Sequence, residues 1–298
     1  MGRRVGAVPV FERIAGPRVR RAAGAAALLA AIALPVWAQQ TWRTMTSARQ
    51  VAGERRLAVD VEYGAGRLRV QPERGNLLYR MEMRYDAQSA SPVTSYDRRT
   101  GRLRLGAEGR KGRNNREDSR GEGRADIALT PAVPMSLKLS FGAGEADVKL
   151  GGLALEELDI STGASETRIS FDRPNRTAAR AVTLEAGAAS LVVTGLANAR
   201  TQRIDFEGGV GETTLDFGGA WTRDARATVK MGLGSVTLRL PRTVGVRIVK
   251  ESFLASFDSN GMVKRGNAWY SRGYERAPRK LDIQIEAALG SIEVDWID

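Results

Sequence analysis

The stretch LSFGAGEADVKLGG (Leu139–Gly152) sets two glycines one residue apart between two alternating apolar runs. Such a pair opens a phosphate-cradling loop in some proteins and marks a backbone corner in others. A dinucleotide loop needs a third glycine and a helix whose N-terminus faces the pyrophosphate. Here the third position is Asp147 and an alternating strand pattern follows, and the chain has no G-x-x-x-x-G-K-[ST] sequence. The glycines therefore read as a corner that needs a positive φ or a close backbone approach.

The corner recurs. Gly142-Ala-Gly is followed by Gly163-Ala-Ser, Gly187-Ala-Ala, Gly209-Val-Gly and Gly232-Leu-Gly, with an earlier copy at Gly64-Ala-Gly and a weaker one at Ala288-Leu-Gly. From 142 to 232 the copies are 21, 24, 22 and 23 residues apart, a near-fixed period that is the mark of a solenoid. Leu137, Leu139 and Phe141 precede the Gly142 triplet at two-residue spacing, and Ala146, Val148 and Leu150 follow it. Equivalent sets flank the other triplets in the same phase, for example Ile204, Phe206 before and Leu215, Phe217 after Gly209. Because a one-residue slip would turn a whole set outward, shared phase means shared geometry. The expected fold is all-β: a parallel stacked-rung β-solenoid, β-helix-like, with irregular insertions. Gly64, Gly66, Gly142, Gly144, Gly163, Gly187, Gly209, Gly211, Gly232 and Gly234 are its expected structural glycines.

Composition narrows the chemistry. The 298 residues include no cysteine and no histidine, which removes disulfides, thiol nucleophiles, Ser-His-Asp triads and the commonest zinc and iron ligand sets. No cofactor and no metal site is expected, and no catalytic residue. Six arginines (Arg3, Arg4, Arg13, Arg18, Arg20, Arg21) precede the apolar run Ala22–Leu34, which ends in PVWAQQ with Val36 and Ala38 at small-residue positions. This reads as a secretory signal over residues 1–38, cut after Ala38, with an uncleaved N-terminal anchor as the alternative. Cleavage removes six positive charges and one negative from a formal +12, leaving +7. That mild excess suits an anionic envelope surface and, outside the cytoplasm, makes nucleic acid an improbable partner. The expected location is the periplasm or extracellular envelope.

The expected organisation continues with a linker over 39–56. An N-terminal β region follows over 57–135, carrying a disordered basic loop at 109–124. The repeat solenoid covers 136–298, interrupted by an insertion at 250–280. With the repeats laid out, the chain resembles the toast-rack and LiaF-like family of bacterial envelope proteins, akin to adhesin-type β-solenoids. The likeness is carried by FGAGEADVKLGGLALEELDISTGAS, LEAGAASLVVTGLANA, FEGGVGETTLDFGG and GLGSVTLRLPRTVGVRI. It implies a stacked-rung fold and an envelope location, and in some relatives a modulation of envelope-stress signalling by contact with membrane partners. It brings no catalytic residues. No array of membrane-spanning segments precedes the β region, a departure from that signalling setting.

Two groups of side chains are candidates for function. Lys264, Arg265, Trp269, Tyr270, Arg272 and Tyr274 interleave cations with aromatics, a mixture that can stack on sugar rings or hold anionic polymers and headgroups. The competing reading makes 250–280 a cap for the solenoid, with Phe253, Leu254, Phe257 and Trp269 packed inward. The second group is outward carboxylates: in-register rungs would hold Glu145 and Glu166 about 5 Å apart, near the separation retaining glycosidases use. The leading expectation is a non-catalytic exported protein whose elongated surface meets an anionic envelope polymer or an envelope protein. Alternatives are a polysaccharide-active enzyme and a signalling modulator. No nucleotide is expected to bind. Self-association is expected to run through a solenoid edge, with Ile292–Trp296 as a candidate open strand.

Overall fold

The computed structural model describes residues 41–109 and 123–298. The expected signal at 1–38 and positions 110–122 of the expected basic loop lie outside them. Fifteen strands follow in chain order: β1 (Trp42–Gln50), β2 (Leu57–Pro72), β3 (Leu77–Asp86), β4 (Ala90–Asp97), β5 (Arg102–Gly109), β6 (Arg124–Leu129), β7 (Met135–Lys149), β8 (Leu155–Ser170), β9 (Val182–Thr194), β10 (Arg203–Asp216), β11 (Ala225–Pro241), β12 (Gly245–Asp258), β13 (Met262–Arg265), β14 (Ala268–Ser271) and β15 (Lys280–Ile297). Described residues contain no α-helix.

The long strands are the rungs. β2, β7, β8, β9, β10 and β11 pair in parallel, each with the next, and keep the triplets in line: Gly66 opposes Gly144, and Gly211 opposes Gly234. Buried positions are Leu57, Val59, Val61 and Tyr63 before the β2 triplet, and Leu68 and Val70 after it. The parity of inward residues thus changes across the corner, and both limbs feed one core. Every inward residue named above for the Gly142 and Gly209 rungs is buried.

The two glycines of a corner do different work. Gly142 has an ordinary φ, but a Cβ there would come closer than 3.0 Å to the carbonyl oxygen of Gly64 on the rung below. Gly144 holds φ +113°, and its Cβ would likewise meet the Gly66 carbonyl. Close approach is thus required of both glycines, and the left-handed turn that flips the pleat of the second alone. β8 and β9 carry Ser165 and Ala189 at the second position and turn without a positive φ. Ser165 is buried there, its Oγ 3.0 Å from the Thr167 hydroxyl.

The returns between rungs are braced by buried asparagines. Asn175 accepts a hydrogen bond from the Leu155 N–H (2.8 Å) and donates to the Leu155 and Ala199 carbonyls (2.7 and 3.3 Å). Asn198 donates to the Phe171 carbonyl (2.8 Å) and accepts from the Ala220 N–H (2.9 Å). Loops that leave the ladder still have backbone groups to satisfy, and a buried amide serves both kinds at once.

The ends differ from the middle. Residues 39–56, read as a linker, contain β1, which pairs antiparallel with β3. Its alternation of Met45, Ser47 and Arg49 is too polar to declare a strand by itself. β3 continues through β6 to the second limb of β2, while β4 and β5 extend the first limb. At the other end the last strand is not an open edge. β15 lies between β11 and β12, parallel to both. The outermost rung is therefore β12, which occupies the first part of the expected insertion, and β14 and β13 add antiparallel to its first limb.

Candidate interaction surface

The β13–β14 hairpin gathers most of the interleaved cations and aromatics. Lys264 lies over the Trp269 ring, 5.0 Å from its centroid, and Arg265 over Tyr270 at 5.5 Å. Lys280 lies over Tyr274 at 4.6 Å. Tyr270 and Tyr274 meet edge to face at 4.9 Å, and the Tyr270 hydroxyl is 3.2 Å from Arg247 Nε. Arg265 also pairs with Glu275 at 3.1 Å. Arg272 stands apart, on a concavity of about 330 Å³ shared with Arg242, Asn260 and Trp296. The rings are thus occupied from within the molecule: the first two cation–π contacts lie inside the hairpin, and the Arg247–Tyr270 hydrogen bond joins it to β12.

The capping contacts are mixed. Phe257 and Trp269 pack edge to face at 4.9 Å against the end of the core. Leu254, expected to turn inward with them, is instead 64% exposed; Phe253 lies outside the described side chains. Lys250 occupies an inward position of β12, opposite Ile285, and its Nζ donates to the Ala255 carbonyl at 3.0 Å. A cation at the last core position tops the stack with a polar group and blunts the edge.

Glu145 and Glu166 oppose one another in register on β7 and β8. Both are exposed and each faces an arginine: Glu145 is 3.4 Å from Arg67, and Glu166 contacts Arg168 closely. Neither lies in an apolar setting. They form the solvated face of a sheet. Among the described residues no three acidic side chains gather as a metal-binding group. No described helix is long and apolar enough to cross a membrane.

The middle residue of each triplet is a feature the sequence reading passed over. It is alanine in β2, β7, β8 and β9 (Ala65, Ala143, Ala164, Ala188) and becomes Val210, Leu233 and Leu289 in β10, β11 and β15. All of these stand inside the triplets, where the flanking glycines carry the periodic signal and the change from alanine to valine and leucine is the only mark of an apolar row.

Solved structures resembling the chain include a candidate cell adhesion protein from Clostridium sporogenes. It is 18% identical, with 86% of this chain and 100% of that one covered at a TM-score of 0.45. A candidate adhesin from Bacteroides fragilis is 10% identical, covering 85% and 97% at 0.37. Another from Parabacteroides merdae is 10% identical, covering 86% and 97% at 0.37. No curated protein matches. Residues 194–294 match the C-terminal region of LiaF, described as a cell wall-active antibiotics response protein. Residues 38–194 match the N-terminal domain of toast-rack proteins. The two matches meet at Thr194, the last residue of β9, inside one continuous stack. With more than half its length matched, the chain belongs to the toast-rack family.

Proposed function

We propose that this is a non-catalytic protein of the cell envelope, exported through its N-terminal signal, whose rigid stack of rungs serves as a surface for binding envelope components. The observation that carries the reading is the division of side chains. Inward rows are filled by aliphatic and aromatic residues, while carboxylates and cations lie on exposed faces, many of them tied into ion pairs. A stack of parallel rungs resists deformation and presents extended surface with little ordering cost on binding. Family membership and the C-terminal match to a cell wall-active antibiotics response protein support the envelope setting.

The test is retention. The immobilised chain from Gln39 onward is offered solubilised membranes, cell wall and extracellular polysaccharide. Specific retention from any of these fractions is expected, and retention of nothing would overturn the reading. Mass spectrometry of the protein from its host should find an N-terminus at Gln39. Turnover of envelope polysaccharide that is lost on Glu145→Gln or Glu166→Gln would establish the enzymatic alternative instead.

A further inference from the structure

We propose that the C-terminal corner of the stack is a docking surface for a basic amphipathic helix of a partner protein; this rests on the interaction reading above and says where and what kind of partner binds. Val210, Leu233, Leu289 and Leu254 are 51%, 44%, 45% and 64% exposed. The parallel register puts them side by side on four consecutive rungs, β10, β11, β15 and β12. Of the five large hydrophobic residues this exposed among those described, four therefore form one ridge. The fold does not demand it, because four earlier rungs turn the same corner with alanine. Exposed apolar side chains scatter on ordinary surfaces, and a contiguous row marks a contact site.

The surroundings define the occupant. Beside the ridge runs a trough of about 590 Å³, floored by Gly209, Gly232 and Ala288 and rimmed by Glu207, Glu251, Glu286 and Lys230. Lys230 is already held by Glu286 at 3.0 Å. Glu207 also acts on Lys230 from the other side, while Glu212 across the ridge and Glu251 form no ion pair among the described residues. A local acidic rim on a chain of net charge +12 is a complement for cations. Rungs repeat at about 4.8 Å, so the four side chains span about 14 Å. A helix gains about 5.4 Å per turn. Its apolar residues at i, i+3 or i+4 and i+7 therefore fall between successive ridge residues, with lysines or arginines reaching the rims and the glycine floor allowing close approach. An anionic bilayer would be repelled by this rim. A second copy facing it through the same corner would bring two acidic rims together.

The test uses the protein as processed by its host and a fluorescein-labelled 18-residue helix of leucine and lysine, with leucine along one face. Fluorescence anisotropy should show binding that weakens at least tenfold in the Leu233→Ala, Leu289→Ala double variant. It should also weaken several-fold in Glu207→Gln, Glu251→Gln, and fail for a leucine–glutamate helix. Alanine already occupies this corner in four rungs, so the double variant keeps its fold, which an unchanged melting curve verifies. Equal binding by wild type and double variant would overturn the proposal. So would ridge-dependent binding to anionic lipid vesicles without peptide binding, or ridge-dependent dimerisation in sedimentation. If the double variant retains the same envelope components as wild type, the ridge is wrong while the interaction reading stands. If wild type binds the helix but retains nothing from the envelope, the reverse holds.

Discussion

Three glycines of the repeated corner, two at its first position and one at its second, meet three different environments, and alanine at each should separate them. Gly64 has an ordinary φ and, among the described residues, open space where a Cβ would go, because β5 pairs with β2 only as far as Glu62 and β6 takes up the pairing at Arg67. Gly142 has an ordinary φ but a Gly64 carbonyl in the way. Gly144 has both the obstructing carbonyl of Gly66 and φ +113°. A forced overlap in packed structure costs about 1–3 kcal/mol, and a non-glycine residue at an unfavourable positive φ costs a further ~1–3 kcal/mol. Gly144→Ala should therefore lose about 4 kcal/mol, Gly142→Ala about 2 kcal/mol, and Gly64→Ala at most ~0.5 kcal/mol. At roughly 2–4 °C per kcal/mol for a domain of this size, the falls in Tm are about 8–16 °C, 4–8 °C and under 2 °C. Circular dichroism melts of the three variants provide the assay. Equal losses at Gly64 and Gly144, or a reversal of the order, would refute the division of labour within the corner.

Asn175→Ala leaves the buried Leu155 N–H without its acceptor and should cost about 2–3 kcal/mol in urea titrations; Thr177→Ala, which removes only a donor to the same Leu155 carbonyl, should cost less. Burial, reinforced by the nearby Asp126 carboxylate, pushes the Tyr63 phenol up to about 12. Because the unfolded chain releases that proton near pH 10, stability falls as pH rises from 10 towards 12. The decline should be shallower in Tyr63→Phe, and parallel curves would count against the assignment. Lys250→Leu removes the polar cap of the last rung, so sedimentation velocity should show concentration-dependent association stronger than that of the wild type.

The interior of the stack was legible because period and phase are local properties. Leu137 and Val148, or Phe206 and Leu215, declare their face within a few residues of a triplet, and a one-residue error would have been obvious. Neighbour order was not legible. A rung such as Gly290 with Ile292 and Val294 fits against any other rung of the same phase, so nothing local places β15 inside β12. β12 itself was hidden because Phe253-Leu254-Ala255 has no glycine and Lys250 breaks the alternation at an inward position. The asparagine braces escape pattern reading because each partner lies 20 or more residues away. The cation–aromatic mixture at 264–274 was visible as composition, whereas its use inside the molecule depends on the hairpin that folds it over β12.

Placement of β15 between β11 and β12 governs both the capped end and the continuity of the leucine ridge. The chain has no cysteine, so pairs of introduced thiols report on neighbours without background. Ser235, Ser291 and Ser256 lie in one row, with Ser291 opposite each of the others. Adjacent rungs are about 4.8 Å apart and second neighbours about 9.6 Å. Dibromobimane, which fluoresces on bridging two close thiols, should cross-link Ser235→Cys with Ser291→Cys and Ser291→Cys with Ser256→Cys. Ser235→Cys with Ser256→Cys should stay dark, and efficient bridging of that pair with loss of the Ser235–Ser291 signal would contradict the account.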